Sequence, residues 1–279
     1  MSTDLHCHTK ISDGSASVEE LIFIARRMGI KSLSITDHDT FAGAKRAIVL
    51  GRRYGLNIIL GAEISSFSKN IQKELHILCY MCDKTDRLEG ICLKNNKARK
   101  KLNTKIIEEI SNHYPISLDT VLNKSRGSSN IFKNHIIQAI MDSGCVIPIY
   151  SIIYKKIFND NPGFEVNTEY CEPEEVISQI HQAGGLAILA HPKESDLKDT
   201  IPYLIGLGID GLEVYHPSIS PKFAEDLLKI TKKYGLLTTG GSDFHGMYSF
   251  ASRCLSSFST SEAEIKKMIS KKLKMKRGA

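Results

Sequence analysis

The stretch SLSITDHDTFAGAKRAIVLGRRYGLNIILGAEIS, residues 32–65, decides the fold. Ser32–Thr36 alternates polar and apolar side chains and reads as a strand. Ala44–Tyr54 carries its apolar residues at helical spacing, and Asn57–Ser65 reads as the next strand. Upstream, Asp4-Leu-His-Cys-His8 is a short β pattern. Ser17-x-x-Glu20 is a capping box opening a helix toward Met28-Gly29. Leu75–Tyr80 is a further strand. This alternation predicts parallel strands joined by crossover helices, an α/β sheet or barrel.

The middle of the chain changes character. From Thr85 to Asn161 it is lysine-rich and helical, with Leu93–Ile110 and Phe132–Met141 as amphipathic segments. Residues 85–161 are therefore expected to form an inserted helical subdomain, with 1–84 and 162–279 as the main body. After Pro173 the alternation resumes. Strands are expected at Gly185–Ala190, Gly211–Tyr215 and Leu236–Thr239, with helices between them and a last helix over Glu262–Lys274.

The 279 residues carry a net charge of +6, and that excess is local. Lys266–Ala279 holds seven basic side chains and no acidic one, which leaves a body of 30 basic and 31 acidic residues. The reading is a solvated helix face rather than a nucleic-acid surface. No apolar run is long enough for a membrane span. The first residues lack the pattern of a signal peptide, so a cytoplasmic setting is expected. The seven cysteines are odd in number and irregularly spaced, as expected of reduced, mostly buried thiols in a reducing compartment.

The ten histidines are the informative feature. His6 and His8 lie two apart on a strand, hence on one face and able to share a cation. Asp243 and His245 repeat that spacing after Gly240-Gly241. His38 closes the second strand, Glu63 lies at the end of the third and His76 on the fourth. His191 follows a strand directly, and Asp13 sits in the first loop. In a parallel barrel the C-terminal strand ends converge on one mouth, which would gather six imidazoles and three carboxylates. His216 ends the Leu212–Tyr215 strand at the same mouth, a candidate phosphate contact or general acid. Asp37, assigned with it to the catalytic set, and Asp39 are read as orienters of imidazoles. His113 and His181 are read as structural.

Asp4-Leu-His-Cys-His-Thr9, Thr36-Asp-His-Asp-Thr40, Gly61-Ala-Glu63, Leu75-His-Ile77, Ala190-His-Pro192 and Gly241-Ser-Asp-Phe-His-Gly246 together resemble the PHP (polymerase and histidinol phosphatase) family. Gly211-Leu-Glu-Val-Tyr-His-Pro217 and the insertion resemble its stand-alone bacterial branch of nucleotide phosphatases and exoribonucleases. The resemblance implies a distorted (β/α)7 barrel and three divalent metal ions, Mn²⁺, Fe²⁺ or Zn²⁺. His6, His8, Glu63 and Asp243 would hold the first ion. Glu63 would bridge to the second with His76 and His191, and Asp13, His38 and His245 would hold the third. The implied activity is hydrolysis of a phosphomonoester by a metal-bound hydroxide. The substrate would be a nucleotide, such as a 3′,5′-bisphosphonucleotide, or a short RNA end. Histidinol phosphate and a non-catalytic metal-binding module are the alternatives. His135 falls where the branch carries Gly-Arg-Pro-His, with Lys133 in place of the arginine and Asn134 of the proline. Lys133 and His135 are thus the expected substrate contacts, although lysine lacks the bidentate grip of a guanidinium. Neither a membrane nor an obligate protein partner is expected.

Overall fold

The computed structural model describes residues 3–144, 150–159, 169–248 and 254–278. A three-stranded parallel sheet places β1 (Thr3–Asp4), β2 (Ser32–Leu33) and β3 (Asn57–Ile58) side by side. A five-stranded sheet takes β4 (Gly61–Ser68), β5 (Lys73–Tyr80), β6 (Leu186–Leu189), β7 (Gly211–Tyr215) and β8 (Leu237–Gly240) in that order. Helices α1 (Val18–Arg27) and α2 (Ala42–Tyr54) connect the first three strands. The expected single strand over Asn57–Ser65 is thus two, β3 and β4. Beyond β1 and β2 the chain makes two isolated parallel bridges, His38 to Glu63 of β4 and Cys7 to Phe244 in the segment that follows β8. The fold is mixed α/β. No closed barrel appears in the sheets of the described residues.

One expectation is corrected. β5 runs antiparallel to both β4 and β6, whereas β6, β7 and β8 are parallel. Only residues 69–72 separate β4 from β5. That length makes a hairpin and cannot make a parallel crossover. His76 therefore reaches the functional end of the sheet from the first half of its strand, not from the C-terminal end.

Side chains alternate across each strand, and the alternation separates two environments. Leu78 and Tyr80 of β5 pack with Leu5, Ile188 and Leu237 in an inner cluster, closed from below by Met268. Ile77, Cys79, Leu189, Leu212 and Val214 face outward. They pack under α7 (Pro173–Gln182), α8 (Thr200–Gly206) and α9 (Pro221–Tyr234). His76 shares the inner face with Leu78. Glu63 is paired directly opposite Leu78 and so shares it too. Glu213 stands between the outward-facing Leu212 and Val214 and turns inward. The inner face is thus apolar at one end and polar at the other.

The helices α3 (Glu89–Ile110), α4 (Leu118–Lys124), α5 (Lys133–Asp142) and α6 (Tyr150–Tyr154) follow β5. Ile106, Ile110, Val121, Ile136, Ile140 and Phe158 give them an apolar core of their own. They are fastened to the sheets by polar contacts. The buried Arg99 donates to Asp39 Oδ2 at 2.5 Å and to Ser65 Oγ at 2.6 Å, and its guanidinium lies between the rings of Phe132 and Tyr170. Asn95 donates to Asp39 Oδ1 at 2.8 Å. Cys145 and residues 160–168, where the insertion was expected to end, lie outside the described residues.

The basic C-terminal segment forms α10 (Glu262–Gly278), which docks rather than projects. Met268 is fully buried. Lys271 pairs with Asp210 at 2.8 Å, and Lys272 and Lys276 each pair with Asp83 at 2.9 Å. Cys7, Cys79, Cys82, Cys92 and Cys171 are buried free thiols. Among the described residues no helix is long and apolar enough to cross a membrane.

Candidate metal centre

The polar end of the inner face is assembled from the segments that leave the strands. Gly241 is required there, because a Cβ at that position would lie 2.4 Å from His6 Cβ and 2.5 Å from His6 N. The buried Asp4 secures the same seam by accepting from the Ser242 N–H at 3.0 Å and the Ser256 N–H at 2.7 Å. Three residues leaving strand ends here hold positive φ without being glycine: Asp39 (50°), His191 (28°) and Asp243 (50°). Such strain persists only where the surroundings over-determine it.

Glu63 is the hub. Its Oε1 lies 2.9 Å from His76 Nδ1 and 2.9 Å from His191 Nε2. Its Oε2 lies 3.3 Å from His6 Nε2, 3.2 Å from His8 Nε2 and 3.3 Å from His38 Nδ1. Asp243 Oδ1 stands 3.5 Å from His6 Nε2 and 3.4 Å from His8 Nε2. Around Asp13 Oδ2 gather His245 Nε2 at 3.3 Å and His38 Nε2 at 3.7 Å. His245 Nδ1 donates to the Asp243 carbonyl at 2.9 Å, which turns its Nε2 toward Asp13 as the nitrogen that could meet an ion. Four overlapping groups are close enough to hold an ion: His8-Asp13-His38-His245, His6-His216-Asp243, His6-His8-Glu63 and His38-Glu63-His76.

The electrostatics match that geometry. Burial alone would raise the three carboxylates, yet the imidazoles around them hold Glu63, Asp13 and Asp243 well below the usual carboxylate range. Burial likewise opposes charge on His6, but Glu213, Glu63 and Asp243 raise it well above the ordinary imidazole value. His8 and His245 are raised in the same way, and His76 is pushed up to about 10 by Glu63 and Glu74 against its burial. His38 and His191 are lowered, chiefly by burial. Ionised carboxylates and imidazoles in one water-poor space suit a divalent cation that takes the place of the protons. The donor set fits, being imidazole nitrogen and carboxylate oxygen throughout. His38 Nδ1 is moreover buried without a hydrogen-bond partner while facing Glu63.

Residues 4–145 match the family model of the PHP domain. The chain belongs to the PHP domain family. Among its relatives, the phosphoribosyl 1,2-cyclic phosphate 1,2-diphosphodiesterase of Eggerthella lenta is 28% identical over 251 residues, 89% of this chain and 95% of that protein. The 5′-3′ exoribonuclease Rnm of Salmonella typhimurium is 30% identical over 251 residues, 87% of this chain and 84% of its own. A solved structure from Bifidobacterium adolescentis, assigned as a metal-dependent phosphoesterase, superposes with a TM-score of 0.87 at 28% identity, covering 96% of this chain and 95% of that one.

Around this PHP centre the other expected residues are placed as follows. His216 Nδ1 accepts the Ser218 N–H at 3.1 Å, so Nε2 carries the ring proton. That nitrogen is buried, has no hydrogen-bond partner and stands 3.4 Å from Asp243 Oδ2. It faces the centre within the His6-His216-Asp243 group. Asp37 departs from the expectation. Its oxygens accept from Thr9 N–H, Thr9 Oγ1 and Ser12 Oγ at 2.7–2.8 Å and from no imidazole. It therefore holds the 8–14 loop that carries Asp13, and Asp39 is engaged by Arg99 and Asn95 instead. His135 spends Nδ1 on the Phe132 N–H at 3.1 Å, and burial lowers it to about 4. Lys133 extends its ammonium over the Phe158 ring, 5.1 Å from the centroid. The stretch between these residues does reach the centre: Asn134 donates to the Asp13 carbonyl, and Phe132 stacks on His38 at 5.8 Å. His181 pairs with Asp210 at 2.8 Å, away from the centre. Sequence reasoning missed Glu213 as a site residue. It is fully buried, accepts from His6 Nδ1 at 2.9 Å and is held below its ordinary value by His6 and His216 against its burial.

Proposed function

We propose that the chain is a metal-dependent phosphoesterase acting on a nucleotide phosphomonoester, such as a 3′,5′-bisphosphonucleotide, or on a short RNA end. The observation that carries this is the division of labour on Glu63, whose two oxygens face different sets of imidazoles. In this reading Glu63 bridges one ion held with His6, His8 and Asp243 to another held with His76 and His191. Asp13, His38 and His245 hold a third. The cations, Mn²⁺, Fe²⁺ or Zn²⁺, supply acidified water and neutralise phosphoryl oxygens. His216 Nε2–H donates to a phosphoryl or leaving oxygen beside Asp243. Lys133, and His135 through its remaining Nε2, attract the distal phosphate from the edge formed by α5. The isolated bridges at Cys7 and His38 support closure of both sheets into a distorted seven-stranded barrel, with β3 and β4 as one bent strand. The separate apolar core of α3–α6 supports residues 85–161 as an insertion on a body of 1–84 and 162–279. The buried free thiols favour a reducing, cytoplasmic setting.

The Eggerthella relative favours a second reading, opening of a ribose cyclic phosphate diester. A screen with Mn²⁺ that follows both released phosphate and the ring-opened or chain-cleaved product separates the two, since cleavage of a diester alone frees no phosphate. It would span mononucleotides, bisphosphonucleotides, oligoribonucleotides, phosphoribosyl cyclic phosphate and histidinol phosphate. Nucleotides or RNA ends are expected to turn over fastest, and Asp243→Ala is expected to abolish release while leaving a folded protein. Full turnover by metal-replete Asp243→Ala, or a preference for histidinol phosphate, would overturn the proposal.

A further inference from the structure

Glu213 has no solvent exposure and sits mid-strand in β7 between two outward-facing apolar residues. Its Oε1 lies 2.9 Å from His6 Nδ1, and its Oε2 accepts the backbone N–H of His191 at 2.8 Å. An ionised carboxylate has no proton to give, so His6 Nδ1 must carry one. Nε2 is then the only His6 nitrogen that can exchange its proton for a cation. That nitrogen already points at Glu63 Oε2 (3.3 Å) and Asp243 Oδ1 (3.5 Å). The second oxygen of Glu213 holds His191 at a φ of 28°, a conformation that L side chains rarely adopt. Thus anchored, His191 brings Nε2 to Glu63 Oε1 at 2.9 Å. The His6 and His191 rings stack 5.8 Å apart. One buried carboxylate therefore holds the ring of His6 and the backbone of His191, whose imidazoles face opposite oxygens of Glu63.

We infer that Glu213 is a positioning residue that presets His6 Nε2 as a metal ligand and links two ion positions through His6 and His191. This rests on the ion assignment proposed above. It also makes a chemical prediction about glutamine, which has nearly the same shape but only one acceptor. The His191 N–H is an obligatory donor, so in Glu213→Gln the amide oxygen stays on it and the amide NH₂ turns to His6 Nδ1. That nitrogen must then accept, and the proton moves to Nε2, where it blocks ligation. Loss of such an outer partner weakens metal affinity by about 10–100-fold.

The test titrates the full-length wild-type chain, Glu213→Gln and Glu213→Ala with Zn²⁺, reading bound zinc per chain and affinity. The Zn²⁺-loaded proteins are then compared by ¹⁵N-resolved NMR of the imidazole N–H groups, with His6→Asn used to assign the His6 signal. Wild type should show a downfield Nδ1–H signal from His6. Glu213→Gln should lose that signal, keep an unfolding midpoint near that of wild type and lose about 10–100-fold in affinity at one position. The remaining zinc should stay, because Asp13, His38 and His245 do not depend on Glu213. Glu213→Ala, which also frees the His191 backbone, should weaken two positions. If Glu213→Gln binds the same number of ions with unchanged affinity and keeps the His6 Nδ1–H signal, the inference is overturned. If wild type itself binds no zinc, the ion assignment fails, which is a different result.

Discussion

Replacing Asp39 by asparagine should uncouple α3 from the sheets at a cost far larger than one lost hydrogen bond. Asp39 is buried, and its carboxylate serves only donors: Ser65 N–H and Asn95 Nδ2 on Oδ1, and Arg99 Nη2 on Oδ2. An asparagine offers one oxygen and turns an NH₂ toward one of those donors. It tolerates the positive φ of 50° at this position, so backbone strain does not confuse the result. Arg99 stays charged and is only about a tenth exposed, and its Nε already lacks a partner. Breaking one side of such a buried pair costs about 3–5 kcal/mol. A chain of this size responds by about 2–4 °C per kcal/mol, so the midpoint should fall by about 6–20 °C. Urea and thermal unfolding followed by circular dichroism give both numbers. The double variant Asp39→Asn/Arg99→Met should recover most of the loss, since the stranded charge is gone. A single-variant loss under about 1 kcal/mol, or a double variant no more stable than the single, would refute the reasoning.

Two further perturbations separate packing from charge at the C-terminal helix. Met268→Ala, in the floor of the inner cluster, should cost about 2–5 kcal/mol, whereas Lys272→Ala with Lys276→Ala should cost about 1 kcal/mol or less by urea unfolding. The reverse order would show that α10 is held by its lysines. Asp210 is held below the usual carboxylate value because His181, Lys271 and the Ala187 N–H outweigh its burial. Its folded-state value being the lower one, its contribution is fully present above the unfolded value near 3.9 and is lost as pH falls through the folded one. The stability gap between wild type and Asp210→Asn should be steady at neutral pH and close below about pH 4. A gap that persists at pH 2 would exclude an electrostatic origin.

His6, His8, His38, Glu63 and His191 could be read from the sequence because each lies beside a short apolar strand whose end is marked by polar residues. The reversal of β5 was hidden. A four-residue hairpin is usually announced by glycine or asparagine at positive φ, but here Gln72 takes that conformation at 50°. Arg99 was hidden for a different reason. It lies within a run of lysines and reads as one more solvated charge, and only the distant Asp39 explains its burial. Glu213 left one faint signal, a lone carboxylate in Gly211–Tyr215 on the face opposite Leu212 and Val214. The basic tail was legible as a local excess of charge, yet nothing in it indicated that Asp83 and Asp210 would receive its lysines.

The seam at Asp4 has a consequence for when the protein becomes competent. Ser242 donates to Asp4 across 238 residues of chain, and His6 and His8 find Asp243 only once that seam is made. Contacts so remote in sequence form late, after the local hairpins and helices. During synthesis six of the nine proposed metal ligands emerge in the first 76 residues and must wait for the last two, beyond residue 242. A shortened chain that ends before Ser242 thus carries most of the donors but cannot gather them, and completion of the centre reports completion of the fold.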